Sequence, residues 1–153
     1  MENRPLNVEV FANPRPRQLI GSFNLSAEDL LEILSSFDPY GLWRLDLESG
    51  QFFWSRDVFN VHGLEPAEGP VDMNEAFKLY HPEDARTLGR LIDDAIRSKS
   101  GYRFVLRLRM PDGKYRLIKS VARYREPEDG TGELVGVFSR FALDIRSIAT
   151  VEN

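Results

Sequence analysis

The chain has 153 residues, 42% of them hydrophobic, with 20 Lys and Arg against 24 Asp and Glu for a formal net charge of −4. That length suits one domain, able to bury roughly two thirds of its unfolded surface. The absence of cysteine excludes disulfides, thiolate nucleophiles, Cys-based metal sites and iron–sulfur clusters, and fits a reducing compartment. No apolar run approaches the ~20 residues needed to span a bilayer, and residues 1–20 hold nothing like a signal peptide. A cytoplasmic, soluble protein is expected, and its negative charge argues against general attraction to polyanions.

Residues 1–25, with Pro5, Pro14 and Pro16, read as an extended arm in which the alternation of Leu6, Val8 and Val10 allows a short strand. Ser26 and Asp29 have the spacing of a helix-opening box, and Leu30, Ile33, Leu34 and Phe37 give the helix at 26–37 an apolar face in need of a partner surface. Leu42–Leu47 and Gln51–Trp54 around Gly50 read as a first hairpin. Ser55 is placed to cap a short helix through Val61 that Gly63 can end. Asp72-Met73-Asn74-Glu75 opens a further helix carrying Ala76, Phe77, Leu79 and Tyr80. The stretch from His81 to Ser98 is the plainest helix. Pro82 suits its first position, Glu83 and Asp84 its positive end and Arg97 its negative end. Ala85, Leu88, Leu91, Ile92, Ala95 and Ile96 make one apolar stripe, and Gly101 is expected to stop the helix.

Past Gly101 the period falls from 3.6 to two, with Tyr102, Phe104, Leu106, Leu108 and Met110 alternating with Arg103, Val105, Arg107 and Arg109. Asp112-Gly113 predicts a two-residue hairpin turn to a strand from Tyr115 to Arg125, and Leu134–Leu143 is the last strand. A two-residue turn places Arg109 opposite Arg116 and Arg107 opposite Ile118. Arg103, Arg107, Arg109 and Arg116 then share a face with Val105, Ile118 and Ala122, while Phe104, Leu106, Leu108, Leu117 and Val121 share the other. The expected class is α+β with antiparallel pairing.

Six features in order carry a resemblance. They are Gly41-Leu42-Trp43-Arg44-Leu45-Asp46 with Gly50, Phe53-Trp54-Ser55 opening the short helices, Gly63-Leu64 closing them, His81-Pro82-Glu83-Asp84, Arg107 before Pro111-Asp112-Gly113, and Asp144-Ile145. Together they resemble the PAS sensor-domain family, of the type whose last three strands form the PAC half, over residues 38–146. The resemblance implies a five-stranded antiparallel sheet in the order 2-1-5-4-3 with helices across one face. Here the N-terminal flanking helix precedes it and residues 147–153 form a tail. It further implies a sensory or regulatory module in signal transduction, two-component signalling included, often dimeric and attached to an output. Two departures stand out. Arg146 follows Asp144-Ile145 where the family continues with Thr, and Ser139 or Arg140 replaces a glycine common before that Asp. The chain ends seven residues after Arg146 with no output domain, and so reads either as the sensing part of a longer protein or as a free-standing PAS protein acting by association.

His62 and His81 are the only histidines, too few for a His-rich metal site. Haem or metal ligation by His81 is weighed against a role closing the helix start, which its place outside the apolar stripe favours; His62 is assigned to the end of a short helix. Among the photoreceptors of the family, flavin adducts and thiol-attached chromophores both require a cysteine, so cysteine-dependent flavin photochemistry is excluded. Haem held within the helix region finds no histidine between Pro82 and Ser98. No cofactor and no metal are therefore expected, and a non-covalent small ligand stays open. Its cavity would be lined by Trp54, Phe59, Val61, Leu64, Phe77, Leu79, Leu88, Leu91, Ile92, Phe104 and Leu106, residues at element spacing that are more often a filled core and that packing alone explains. Interface candidates are Leu30, Ile33, Leu34, Phe37, Val105, Arg107, Arg109, Arg116, Ile118 and Ala122, for a homodimer or a signalling partner. The arginine-rich hairpin reads as a solvated or protein-contacting face, since no aromatics are interleaved for nucleic acid. Asp46 or Asp57 could serve as a base, yet no nucleophile and base have a recognised spacing, and no enzymatic activity is expected.

Overall fold

In the computed structural model, which describes residues 8–11, 16–128, 131–141 and 148–151, all described strands belong to one antiparallel sheet. In chain order the elements are β1 (Val8–Phe11), α1 (Ala27–Leu34), β2 (Tyr40–Asp46), β3 (Phe52–Trp54), α2 (Arg56–His62), α3 (Met73–Phe77), α4 (Pro82–Ser98), β4 (Gly101–Arg109), β5 (Tyr115–Arg125) and β6 (Glu133–Arg140). The sheet order is β1-β4-β5-β6-β2-β3. Counted from β2, the last five strands form the expected 2-1-5-4-3 sheet, and the arm adds β1 as a sixth strand on the free edge of β4. The part of the last strand predicted beyond Phe141 lies outside the described residues, as do Asp144 and Ile145.

Local chemistry explains most boundaries. Ser26 and Asp29 form the reciprocal capping box. The helix stops at Leu34 rather than Phe37, because the hydroxyls of Ser35 and Ser36 bond back to the carbonyls of Leu31 and Glu32 at 2.7 Å each. Ser55 precedes α2 without capping it; its Oγ instead accepts the Leu42 N–H at 2.8 Å and ties β2 to the helix start. Gly63 ends α2 at φ 69°. Asp72 accepts from the N–H groups of Asn74 and Glu75. The helix it opens ends at Phe77, short of Leu79 and Tyr80, because those residues run along β4: the Arg109 N–H donates to the Leu79 carbonyl and the His81 N–H to the Arg107 carbonyl. Lys99, not Gly101, takes the left-handed position after α4 at φ 49°, since Gly101 already pairs with Arg123 in the sheet.

The β4–β5 hairpin corrects the predicted register. The Gly113 N–H donates to the Met110 carbonyl and the Met110 N–H to the Lys114 carbonyl, with Gly113 at φ 83°. Pro111-Asp112-Gly113 is thus a three-residue loop, a tight turn followed by a left-handed glycine. Arg109 pairs with Tyr115 and Arg107 with Leu117. One residue of slip moves every β5 side chain to the opposite face. Ile118 and Ala122 are buried in the core and Arg116 shares the core-facing row with Leu108, whereas Leu117 and Val121 join Arg103, Val105, Arg107 and Arg109 on the outer face.

The core lies between the sheet and α2–α4. Leu88, Leu91, Ile92 and Ala95 of α4 are buried against Tyr102, Phe104, Leu106 and Leu108 of β4, with Ile118, Leu134 and Phe138 beside them. Ile96 and Ala85 flank this contact, half-buried.

Candidate functional site

The two faces of the sheet offer different chemistry. On the helix side, α2 carries Val58, Phe59, Val61 and His62 at spacings that bury all four. Trp54 stacks on the His62 ring at 4.4 Å, and Phe138 meets that ring edge-on at 5.0 Å. His62 Nδ1 lies 2.7 Å from the Val58 carbonyl, which can only accept, so Nδ1 carries the proton. Nε2 then accepts from the Tyr80 hydroxyl at 2.8 Å. Burial, partly opposed by the Val58 hydrogen bond, lowers the His62 pKa to about 4, and burial raises that of Tyr80. A neutral His–Tyr pair joins α2 to the segment leading into α4. Among the described residues, Trp43 Nε1, Trp54 Nε1, Tyr102 Oη and Ser120 Oγ are buried without a well-formed hydrogen bond, although the last two lie close to one another. The two indole N–H groups are the plainer orphans.

Of the cavity residues expected from sequence, Trp54, Phe59, Val61, Leu88, Leu91, Ile92, Phe104 and Leu106 are brought together in this core, and Phe77 and Leu79 line its margin. Leu64 is not among them. It follows the Gly63 turn out of α2 and is 41% exposed.

At the edge, the carboxylate of Asp84 accepts from the Arg107 backbone N–H at 2.8 Å and from its Nε and Nη2 at 2.9 Å each. Burial of Asp84 opposes its ionisation, but the Arg107 hydrogen bonds outweigh it and hold the carboxyl below its usual range. Arg107, an interface candidate, therefore pins α4 to β4. His81 caps α4, its Nδ1 accepting the Glu83 N–H at 3.1 Å.

On the outer face Glu133 is buried between Arg44 of β2 and Arg125 of β5, with Arg125 Nε at 2.6 Å. Burial again opposes ionisation, and the hydrogen bonds from Arg44 and Arg125 lower the Glu133 pKa nonetheless. Arg44 also lies over the Phe53 ring. Around this clamp run half-buried Val105, Val121, Val135 and Val137, with Arg103, Lys119 and Arg123 among them. Arg109, exposed at the end of β4, reaches the Lys78 carbonyl. Sequence reasoning missed Glu133 and the His62–Tyr80 pair. The four-residue spacing of Val58 and His62 was the available signal for the latter, while Glu133 gave none, because its partners come from two distant strands.

The family model for the PAS fold matches residues 51–138, more than half of the chain. The chain belongs to the PAS-fold family. Strand β2 lies outside the matched stretch, yet this PAS domain includes it, since β2 is hydrogen-bonded between β3 and β6. Among solved structures, an RNA-binding light-oxygen-voltage receptor is similar at 16% identity and TM-score 0.62, over 72% of this chain and 32% of that one. The chain thus spans about a third of that receptor. The N-terminal domain of a diguanylate cyclase with PAS/PAC sensor from Marinobacter aquaeolei matches at 16% identity and TM-score 0.56, over 66% of this chain and 94% of that one. A sensory box histidine kinase/response regulator from Burkholderia thailandensis matches at 19% identity and TM-score 0.56, over 74% of this chain and 82% of that one. Such likenesses show the shared fold. No curated protein matches the chain. Among the described residues, no helix is long and apolar enough to cross a membrane.

Proposed function

We propose that this PAS domain is a cytoplasmic sensory and regulatory module that works in signal transduction through protein contact, as a homodimer, with no catalysis of its own. One observation carries the reading: no residue of α1 is buried, and Ile33, Leu34 and Phe37 are 60%, 55% and 59% exposed, while Leu42 on the outer sheet face is 47% exposed. Such an apolar stripe on a capped helix is a contact surface awaiting a partner. A second copy suits it. The helix carries Glu28, Asp29 and Glu32 and no base, while the outer face sets Arg103, Lys119 and Arg123 among valines, so helix and sheet are complementary in charge and apolarity. Sedimentation of Leu34→Asp tests this: the variant should sediment as a monomer where the unaltered chain is a dimer, with its circular dichroism unchanged. A variant that stays dimeric contradicts the reading.

The unpartnered Trp43 Nε1 and Trp54 Nε1 favour a second reading, a sensor with a small ligand in the PAS core that feeds an output domain outside this chain. Native mass spectrometry of the purified protein, repeated after mild denaturation, should then release a molecule other than polypeptide. A spectrum of bare chain from cells supplied with diverse small metabolites contradicts this second reading.

A further inference from the structure

The two edges of the five-stranded sheet formed by β2–β6 are covered in part, by different devices. At one edge the Val71 N–H donates to the Phe52 carbonyl of β3 at 2.6 Å. At the other, β4 is closed along Arg107–Arg109 by the backbone of Leu79 and His81, and along Gly101–Phe104 by β1. The first two closures are short bridges from segments built into the domain. The third is a four-residue strand at the end of an arm, and between it and α1 every residue from Pro16 to Ser26 is exposed. The arm meets the sheet through the pairing of β1 with β4.

We propose that β1 is an exchanged strand: in the dimer, Val8–Phe11 of one copy pairs with Gly101–Phe104 of the other, in the register seen here within one chain. This rests on the dimer proposed above. Three observations support it. The pairing partners are identical within and between copies, so exchange keeps every backbone hydrogen bond of the edge and relocates only the connection. The 15 residues from 12 to 26 include the short 3-10 turn Gly21–Phe23 and reach at most about 45 Å with the rest extended, which permits a connection to a second copy. In addition, Arg103 of the proposed contact face lies on β4 itself, the strand with which β1 pairs.

The cysteine-free chain makes the test clean, because introduced thiols are the only ones. The register places Glu9 and Arg103 at directly opposed positions. Such positions of an antiparallel pair lie within disulfide reach, about 4.5–5.5 Å between Cα atoms. Glu9→Cys and Arg103→Cys chains, prepared separately, are mixed and oxidised, and peptide mass mapping looks for a disulfide between position 9 of one chain and position 103 of the other. The proposal expects that link in about half of the chains, the share that random pairing of the two variants allows, and a doubly substituted protein that oxidises to covalent dimers. It is overturned if the doubly substituted protein closes within single chains and the mixture shows no such link. The oligomeric state is measured by light scattering on the unaltered chain, because Arg103 belongs to the outer face proposed for the dimer. Dimers without the link overturn strand exchange and leave the dimer standing, whereas monomers without the link overturn both.

Discussion

Asp84, in the first turn of α4, turns its carboxylate onto Arg107 of β4. Its three hydrogen bonds from Arg107 join α4 to β4 where β1 no longer covers the edge. Asp84→Ala leaves the Arg107 N–H and guanidinium without that partner. We expect a loss of ~2–3 kcal/mol in urea unfolding, at the low end for a broken buried pair because Arg107 keeps some contact with water. His62 gives the molecule a pH dependence of definite sign. Its folded pKa of about 4 lies below the ordinary value of 6.5, so the unfolded chain takes up the proton first. Stability is full above pH 6.5 and falls as the pH drops toward 4, by at most about 3 kcal/mol from this group. Asp84 and Glu133, with pKa values also lowered in the fold, add their losses as the pH falls through the acid range below that. Urea midpoints between about pH 7 and 4.5 should decline, and His62→Gln should flatten that decline. An unchanged slope in the variant contradicts this assignment.

At the scale of elements, the β4–β5 hairpin shows what pattern reading can and cannot supply. The strands are plain in the alternation of apolar residues, and β5 runs from Tyr115 to Arg125 as expected. Register depends on whether the turn has two residues or three, and Asp-Gly supports either when a proline precedes it. Both faces of β5 carry aliphatic residues, Leu117 and Val121 on one and Ile118 and Ala122 on the other, so composition does not reveal the slip. The helix caps at Ser26 and His81 were legible because they depend on residues within one turn. The lock between Ser55 and Leu42, and the clamp on Glu133, join distant segments and were not. A glycine in β6 records another long-range constraint. A Cβ at Gly136 would lie 2.1 Å from the Val121 carbonyl oxygen and 2.7 Å from the Trp43 indole, backbone and ring that cannot yield cheaply. Gly136→Ala should cost ~2 kcal/mol or more in thermal or urea unfolding and quench or shift the Trp43 fluorescence. A variant as stable as the parent would mean that the strand relaxes around the methyl group.

For the whole molecule, sheet order, helix layer and core were readable because long periodic segments and a distinctive series of turns dominate them. The apolar stripe of α4 meets β4 as its pattern required. The outer face was only half legible. Ile33, Leu34 and Phe37 were recognisable as unpartnered, but the residues offered opposite them included Ile118 and Ala122, which the register buries. The PAS domain exposes an apolar, acidic surface on α1 and sets bases among half-buried valines on its outer sheet face, the two surfaces from which the dimer is proposed. Static light scattering of the unaltered chain across a dilution series tests this most directly. The expected mass is twice the 17.6 kDa of one chain, falling toward that of the monomer only on dilution. A mass of one chain at the highest concentration reached would contradict it.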